Sequence, residues 1–390
     1  MLKYCITPTV LIAITASSGN AEGLERVNID TGFLFADGTS ADFSTATITP
    51  SFNATDGSAS FSFDDSRNLT PSFSATTFSI KVPVSNGLDV GIWSTSQGNG
   101  VDIDYGIIQG AGATGAVANG THGAAGGFNV KAELSIPTFM LAARYELNEN
   151  VSLIAGAKYV NLDGGQLKLG SNFDADPFVD GTSVWDLGSD SGVGAVVGAA
   201  YEIEEIALRV SIVHEDSIDL QIDTTAPGTP GVTTAGVDGV SKASIGDATT
   251  LAFQTGIAED TLLFGSVRQS NWENNQVYVP SIAASGYSKV SSFEDGNSYT
   301  VGLGRKFTEK FSGSISYFLD EGDGDGASEL SPSGGVQTLS LGGKFNLSEQ
   351  TSISFGASYS ERGDALTGSY SASVKGSTVT SFGIKLSTTF

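Results

Sequence analysis

Stretches in which apolar and polar residues alternate recur about fourteen times along this chain, and the connections between them are alternately short and long. Because successive side chains of a strand point to opposite faces, each stretch is typical of a β-strand with one apolar face. Tight turns such as 86–87 and 259–260 alternate with long connections such as 97–126 and 273–296. This pattern predicts an all-β, up-and-down antiparallel barrel of about 14 strands that crosses a membrane, with both chain ends on the short-turn side.

The last amphipathic stretch, 376–390, indicates that the barrel is closed. One of its faces carries Phe382, Ile384 and Leu386. A long strand at the end of a chain needs hydrogen-bond partners on both edges, and pairing with the first strand supplies the second partner. The chain ends on an aromatic residue, Phe390, at which we expect the barrel-assembly machinery to bind.

Composition excludes several other classes of protein. The sequence has 390 residues, 50 of them glycine, and only 16% are charged, yet no run of 18 apolar residues occurs outside the extreme N-terminus. Transmembrane helices are therefore not expected. The net charge of −24 argues against a nucleic-acid partner, because binding to nucleic acid requires positive charge to neutralise phosphates.

Residues 1–21 have the features of a secretory signal peptide. Lys3 supplies positive charge, an apolar core follows, and small residues end at Ala21, so we expect the mature chain to start at Glu22. The single cysteine, Cys5, precedes the apolar core and would be removed with the signal. We therefore expect an exported protein without disulfide bonds.

The two faces of the strands differ in charge. In the fourth stretch, Val130 and Leu134 share one face, and Lys131 and Glu133 share the other. A membrane barrel places its apolar face against lipid and its charges in the lumen, because a lysine or arginine at mid-bilayer costs about 2–4 kcal/mol. A soluble barrel would show the same periodicity. The signal peptide, the alternating connections and the terminal phenylalanine favour the membrane form.

Five segments of the sequence carry a family resemblance, and they span nearly the whole mature chain. They are GLERVNIDTGFLFADG at 23–38, FSIKVPVSNGLDVGIW at 78–93, ALRVSIVHEDSIDLQ at 207–221, LAFQTGIAEDTLLFGSVRQSNW at 251–272 and FEDGNSYTVGLGRKFTEKFSGSISYFLDEG at 293–322. In this order they resemble the FadL/TodX family of outer-membrane transporters for long-chain fatty acids and other hydrophobic compounds.

The resemblance implies a fourteen-stranded barrel with an N-terminal hatch at 22–41 inside the lumen, and a barrel domain at 42–390. It also implies passive uptake without ATP or cofactor. A hydrophobic ligand, such as a long-chain fatty acid, would be captured by extracellular loops, bound in the barrel and released sideways into the membrane near a kink of the third strand. Outer-membrane lipid and lipopolysaccharide would surround a monomeric barrel of a Gram-negative bacterium.

The sequence departs from the family pattern in two places. The Asn-Pro-Ala triplet of the family's hatch is absent, since residues 22–41 contain no proline. The third stretch, 87–96, shows no obvious signal for a kink, whereas Pro137 in the fourth stretch is a clear irregularity. Because proline cannot donate to a strand ladder, Pro137 marks either a simple bulge or an opening in the wall.

The candidate ligand-binding residues are basic residues whose position in the alternation points inward. A carboxylate ligand would need a cation in an otherwise apolar pocket. Arg209 and Lys158 are the first choices because they lie near mid-strand. The full set of candidates is Arg209, Lys158, Arg144, Lys131 and Arg268. The alternative for these residues is ion pairing within the lumen, with acids such as Glu133 and Glu146.

Other motifs are weaker. The stretch from Asp320 to Glu329 resembles part of a calcium loop, but its twelfth position would be Pro332, so we predict no metal site. His122 and His214 lack the nucleophile motif of a hydrolase, and we predict no catalytic residues. A general porin that passes small polar solutes is the alternative function. The hatch-like N-terminal residues argue for a plugged barrel instead.

Overall fold

The computed structural model describes residues 23–57, 61–110, 128–170, 182–226, 237–281, 286–322 and 325–390. The predicted signal peptide, the predicted start at Glu22 and His122 lie outside these ranges. Within them, fourteen antiparallel strands form a closed barrel, as predicted. The strands are β1 (Ser40–Ser51), β2 (Phe73–Ser85), β3 (Leu88–Gly110), β4 (Phe128–Glu146), β5 (Val151–Leu162), β6 (Asp190–Ile203), β7 (Leu208–Glu215), β8 (Ala248–Ala258), β9 (Thr261–Ser270), β10 (Gly296–Lys306), β11 (Phe311–Glu321), β12 (Gly335–Asn346), β13 (Thr351–Arg362) and β14 (Thr378–Thr389).

The last strand closes the barrel on the first. In the antiparallel ladder between β1 and β14, Ser40 lies opposite Thr389 and Ser51 lies opposite Thr378. The other edge of β1 pairs with β2. The expectation from the terminal strand is therefore confirmed, and the wall begins at Ser40.

The outer surface of the barrel carries a belt of apolar and aromatic side chains. On β14, Phe382, Ile384 and Leu386 are 60%, 44% and 47% exposed. All the remaining strands contribute apolar residues to this surface, although that of β3, Ile92, is half-buried. Further members of the belt are Phe43, Phe78, Ile92, Leu141, Tyr145, Leu153, Tyr159, Val197, Tyr201, Ile212, Leu251, Val267, Tyr299, Leu303, Ile315, Tyr317, Leu339, Leu341, Phe355 and Tyr359. An exposed apolar belt around a closed barrel is the surface that contacts lipid in a transmembrane barrel.

Short strands extend the wall beyond the belt at the long-loop end. They pair in sequence from β4 onwards and are Gly165–Gly170, Thr182–Leu187, Ile218–Ala226, Val237–Ile245, Tyr278–Pro280 and Tyr287–Lys289. Phe61–Ser62 pairs with the end of β3, and a separate small sheet contains Ala54–Asp56, Asp325–Ala327, Ala365–Thr367 and Ala372–Val374. Among the described residues, short 3-10 helices occur at Gly32–Phe35 and Glu204–Ile206. No helix in the described ranges is long and apolar enough to span a membrane.

An apolar core lies inside this extended wall. Trp185, Leu220 and Val279 are 1%, 1% and 0% exposed, and Tyr105 donates a buried hydrogen bond of 3.0 Å to the backbone oxygen of Glu329. Burying one such large side chain contributes about 1.5–3 kcal/mol. The described parts of the loops at this end therefore form a packed roof over the barrel.

The chemical character of β4 reverses at Pro137, which corrects the prediction that Val130 and Leu134 face lipid. Both are buried inside the extended wall, while Lys131 and Glu133 point outward. The alternation itself continues without a break. On the long-loop side of Pro137, β4 has water outside the barrel and the protein core inside it. The polar face of the strand is therefore the outer one there.

A bulge in β3 lies directly opposite Pro137. Thr95 pairs with Thr138 and Asn99 pairs with Ile136, so three residues of β3 oppose a single residue of β4. Such a bulge bends its strand. The prediction that the third strand ends near residue 96 is wrong, because β3 continues through the bulge to Gly110.

Candidate functional site

The N-terminal segment, residues 23–39, packs against one side of the lumen. Phe33 and Leu34 are 6% and 0% exposed and form one apolar cluster with side chains from five consecutive strands. These side chains are Trp93, Met140, Ala142, Ile154, Val196 and Val213. Their neighbours along the strands, such as Leu141 and Ile212, are exposed on the outer surface. The inner face of β3–β7 is therefore apolar where it contacts the segment.

A cavity of about 400 Å³ lies between this segment and the opposite wall. The segment contributes Val27, Ile29 and Phe35, and β3 contributes Trp93. Much of the remaining wall carries hydroxyl or amide groups: Ser44, Thr77, Ser79, Ser211, Thr250, Gln254, Ser266, Ser298, Thr300, Thr338 and Ser340. The wall also carries charged side chains, and the segment adds polar ones: Asp42, Arg209, Glu215, Arg268 and Lys385, and Asn28, Asp30 and Thr31. The cavity therefore combines an apolar lining with hydroxyl and charged groups.

Four buried charges form a cluster on the cavity wall. Arg268 of β9 donates to Glu215 of β7 at 2.6 Å and to Glu25 of the N-terminal segment at 2.5 Å. Lys158 of β5 donates to the other oxygen of Glu215 at 2.9 Å. The side chains of all four are between 3% and 7% exposed. Two cations and two carboxylates therefore balance within the lumen, as buried charges require.

A second group of charges holds the aromatic ring of Phe35. The guanidinium carbons of Arg144 and Arg209 lie 4.6 Å and 4.3 Å from its centroid. Arg144 also forms ion pairs with Glu202 at 2.5 Å and Glu146 at 2.9 Å. Arg209 donates to Gln254 at 3.1 Å and is 4.0 Å from Glu202. Of the two arginines, Arg209 has the longer carboxylate contact and lines the cavity.

The structure brings four of the five candidate residues to the lumen. Arg209 and Arg268 line the cavity, while Lys158 and Arg144 lie behind them in ion pairs. The expectation that Lys131 faces inward is wrong. It lies on the outer face of β4 above the bulge, paired with Glu133 at 2.9 Å, because that part of the strand borders water on the outside.

Sequence reasoning missed further luminal cations near the short-turn end. Lys81 forms an ion pair with Asp89 at 3.0 Å and also donates to the backbone oxygen of Ala36. Lys385 of β14 pairs with Asp42 of β1 at 3.0 Å. Both residues follow the same alternation as the predicted candidates. Applying that rule to every strand would have found them.

The bulge of β3 separates β3 from β2 at one level of the wall. Within the described residues, the ladder between these strands ends at the pair Thr77 and Thr95. Above that pair, Gly98 and Gly100 of β3 form backbone hydrogen bonds of 2.7–3.2 Å with residues 24–27 instead. The N-terminal segment has replaced β2 as the neighbour of β3.

The side chain of Arg26 lies at this separation. Its guanidinium carbon is 4.7 Å from the centroid of Phe73 on β2, and its Nη1 donates to Gln97 of the bulge at 2.6 Å. Burial lowers the pKa of Arg26 from its usual value, and the charge of Asp102 partly opposes that shift. Arg26 therefore bridges the two strands where their ladder has ended.

The histidine and calcium-like motifs of the sequence are placed as follows. No group of three His, Cys, Asp or Glu side chains there is placed to hold a metal ion. The calcium-like stretch lies partly outside the described residues, and the Glu329 carboxylate accepts backbone N–H groups from Ser369 and Tyr370. His214 contacts Thr249 at 2.9 Å and Asp216 at 3.4 Å.

The fold and the lumen define a class of protein. A closed barrel with an outer apolar belt, short turns at one end and a loop roof at the other is an integral β-barrel of a Gram-negative outer membrane. Its lumen holds an N-terminal segment beside a cavity. From here on, the roofed end is called extracellular and the short-turn end periplasmic.

Solved structures of the same fold are known. A crystal structure of a Pseudomonas aeruginosa FadL homologue matches with a TM-score of 0.67, 14% identity and 92% of each chain covered. The Pseudomonas putida toluene transporter TodX matches with a TM-score of 0.66 and 11% identity, covering 95% of this chain and 98% of that one. The CymD monoaromatic hydrocarbon channel gives a TM-score of 0.59 at 14% identity, covering 94% and 98%.

At these identities the likeness establishes the fold, and the FadL/TodX-type fold expected from the sequence is confirmed. No protein-family model matches the sequence. No curated protein matches it either.

Proposed function

We propose that this protein mediates passive uptake of hydrophobic compounds across the outer membrane. The observation that carries the proposal is the cavity between the N-terminal segment and the barrel wall, whose lining includes the apolar side chains of Val27, Ile29, Phe35 and Trp93. A concave site with apolar walls and a few polar groups suits a small hydrophobic ligand. The solved relatives described as a toluene transporter and a monoaromatic hydrocarbon channel support the same class of compound.

The hatch predicted at residues 22–41 closes the lumen to ions in this proposal, and the N-terminal segment is the part of it that precedes β1. Two sets of contacts support this role. Phe33 and Leu34 pack on β3–β7, and Arg144 and Arg209 form cation–π contacts with Phe35. The hatch forces a hydrophobic ligand to leave by a route other than straight through the barrel.

Release occurs sideways, between β2 and β3, at the level of Pro137, where the apolar belt of the outer surface ends. Support comes from the end of the ladder at Thr77 and Thr95 and from the bulge of β3 that follows it. An apolar molecule gains free energy by entering lipid rather than an aqueous channel. Pro137 lies opposite the bulge, and β3 and β4 stay paired on both sides of it. Of the two alternatives for Pro137, this favours the simple bulge, and the opening is proposed at the other edge of β3.

Where the ligand has a polar head, Arg209 and Arg268 are the residues proposed to contact it, because both line the cavity. Long-chain fatty acids are one such ligand class. Lys158 would act through its ion pair with the cavity-lining Glu215, and Arg144 through its contact with the cavity-lining ring of Phe35. The protein would work as a monomer within lipid and lipopolysaccharide, without a cofactor and without converting its ligand.

The experiment that tests the proposal is uptake of a radiolabelled hydrophobic compound by cells. We expect a strain that produces the protein to accumulate toluene or dodecanoic acid faster than a strain with an empty vector. Uptake of a small sugar should be equal in the two strains. Equal rates for the hydrophobic compounds, with the protein confirmed in the outer membrane, would contradict the proposal.

A general porin remains the second candidate, because one side of the cavity is rich in hydroxyl groups such as Thr300, Thr338 and Ser340. Such a wall suits water and small polar solutes. A porin would raise sugar uptake in the same experiment and leave hydrophobic uptake unchanged.

A further inference from the structure

Glu25 occupies a position that an anionic ligand would need. Its Oε1 accepts from Nη2 of Arg268 at 2.5 Å, and its Oε2 lies 3.4 Å from Nε of the same guanidinium. This is a two-point contact between a carboxylate and a guanidinium, which is the arrangement by which arginine binds carboxylate ligands. Glu25 belongs to the N-terminal segment, whereas Arg268 belongs to the barrel wall.

The backbone around Glu25 holds that carboxylate in place. The N–H groups of Arg26 and Val27 donate to Gly98 at 3.0 Å and 3.2 Å, and Gly100 donates to Leu24 at 2.7 Å. Gly23 has a φ of +67° and lies so close to the ring of Trp272 that a side chain at this position would overlap the indole. The backbone is therefore held in place both before and after Glu25, which fixes the position of that residue.

The charge balance of the cluster depends on Glu25. Arg268 and Lys158 carry two positive charges, and Glu215 supplies one negative charge to both of them. Glu25 supplies the second. A carboxylate ligand that entered the cluster with Glu25 in place would bring a third negative charge to two cations in a buried site, which is unfavourable. A neutral ligand meets no such penalty.

We propose that Glu25 is a specificity-determining residue: its carboxylate holds the face of Arg268 that an anionic ligand would bind, so the cavity takes neutral hydrophobic molecules in preference to their acids. This inference rests on the proposed uptake of hydrophobic compounds and narrows its ligand class. Carboxylates that bind must displace Glu25 or rely on Arg209 alone.

The test compares two ligands of equal chain length, dodecanoic acid and 1-dodecanol, with the full chain in detergent at about pH 8, where the acid is ionised. Binding is followed by tryptophan fluorescence, since Trp93 lines the cavity. We expect Glu25→Gln to raise the affinity for dodecanoate by about tenfold, the size of one charge-assisted hydrogen bond. The affinity for 1-dodecanol should not change.

Two further variants serve as controls. Glu25→Asp keeps the charge and should keep the wild-type preference for the alcohol. Glu309→Gln removes an exposed carboxylate that pairs with Lys306 at a turn, away from the cavity, and should change neither affinity. The heat-dependent electrophoretic mobility of each variant reports that the barrel is folded.

An unchanged ratio of the two affinities in Glu25→Gln overturns the inference and leaves the uptake proposal standing. An equal gain in affinity for both ligands also overturns it, because Glu25 would then limit the entry of any ligand to the cavity without discriminating against carboxylates. If neither ligand binds the wild type or any variant, the inference and the uptake proposal both fail.

Discussion

The guanidinium carbon of Arg209 lies 4.3 Å from the centroid of the Phe35 ring, so a barrel strand and the N-terminal segment meet at a single aromatic side chain. Arg144 contacts the same ring from another strand at 4.6 Å. Phe35 is the last residue of the short 3-10 helix at Gly32–Phe35. It follows the buried Leu34 and precedes the start of β1. The ring therefore fixes the end of the segment that we propose as the hatch.

Phe35→Leu should loosen this attachment. Leucine keeps an apolar side chain but removes both cation–π contacts, which contribute about 0.5–2 kcal/mol each in partly desolvated sites. We expect backbone amides between residues 29 and 36 to exchange with deuterium roughly tenfold faster, while the amides of β14 keep their rates. Unchanged exchange in the segment would show that the cluster around Leu34 holds it alone.

Glu215→Gln should destabilise the barrel strongly. The substitution leaves Lys158 and Arg268 with Glu25 as their one remaining carboxylate in the cluster, and an uncompensated buried charge costs about 3–5 kcal/mol. The free energy of unfolding in guanidinium chloride measures the loss. The matched control is Glu309→Gln, whose pair with Lys306 is exposed at a turn and should contribute nothing measurable.

Arg209→Ala should weaken carboxylate ligands and spare neutral ones. Arg209 lines the cavity and its nearest carboxylate, on Glu202, is 4.0 Å away, so its charge is the least committed of the luminal candidates. We expect the affinity for dodecanoate to fall about tenfold with no change for 1-dodecanol. Equal effects on both ligands, or on neither, would remove Arg209 from the site.

Trimming the bulge of β3 should close the proposed lateral exit. Deleting Ser96 and Gln97 leaves one residue of β3 opposite Pro137 and preserves the alternation, so β2 and β3 can pair without interruption. We expect ligand binding to persist while uptake by cells falls at least about tenfold. The control is the double substitution Ser96→Ala with Gln97→Ala, which keeps the bulge length. Wild-type uptake by the deletion variant would place the exit elsewhere.

Much of the barrel could be predicted from the sequence because, within the membrane, one face of each strand contacts lipid and the other faces the lumen. The alternation in β14 identified the exposed residues Phe382, Ile384 and Leu386 correctly. The rule failed in β4 above Pro137, where Val130 and Leu134 are buried and Lys131 points outward. Alternation shows which residues share a face, but it does not show where the strand leaves the membrane.

The details of the site were less predictable, since they depend on contacts between distant parts of the chain. The inward positions of Arg209 and Arg268 follow from alternation, whereas the contact of Arg268 with Glu25 spans 243 residues. Gly98 and Gly100 are the sequence features that mark the bulge. In the sequence alone, however, two such glycines are equally typical of the start of a loop. Gly100 has a φ of +137°, a conformation that favours glycine, and it bonds to Leu24 of the N-terminal segment.

The central claim is that the N-terminal segment plugs a barrel that carries hydrophobic compounds. The most direct test is the single-channel conductance of the refolded chain in a planar bilayer, compared with a variant that lacks residues 22–37. The account predicts that the intact protein is nearly silent and that the deletion variant conducts ions steadily. Steady conductance of the intact protein would contradict the account and favour a porin for small polar solutes.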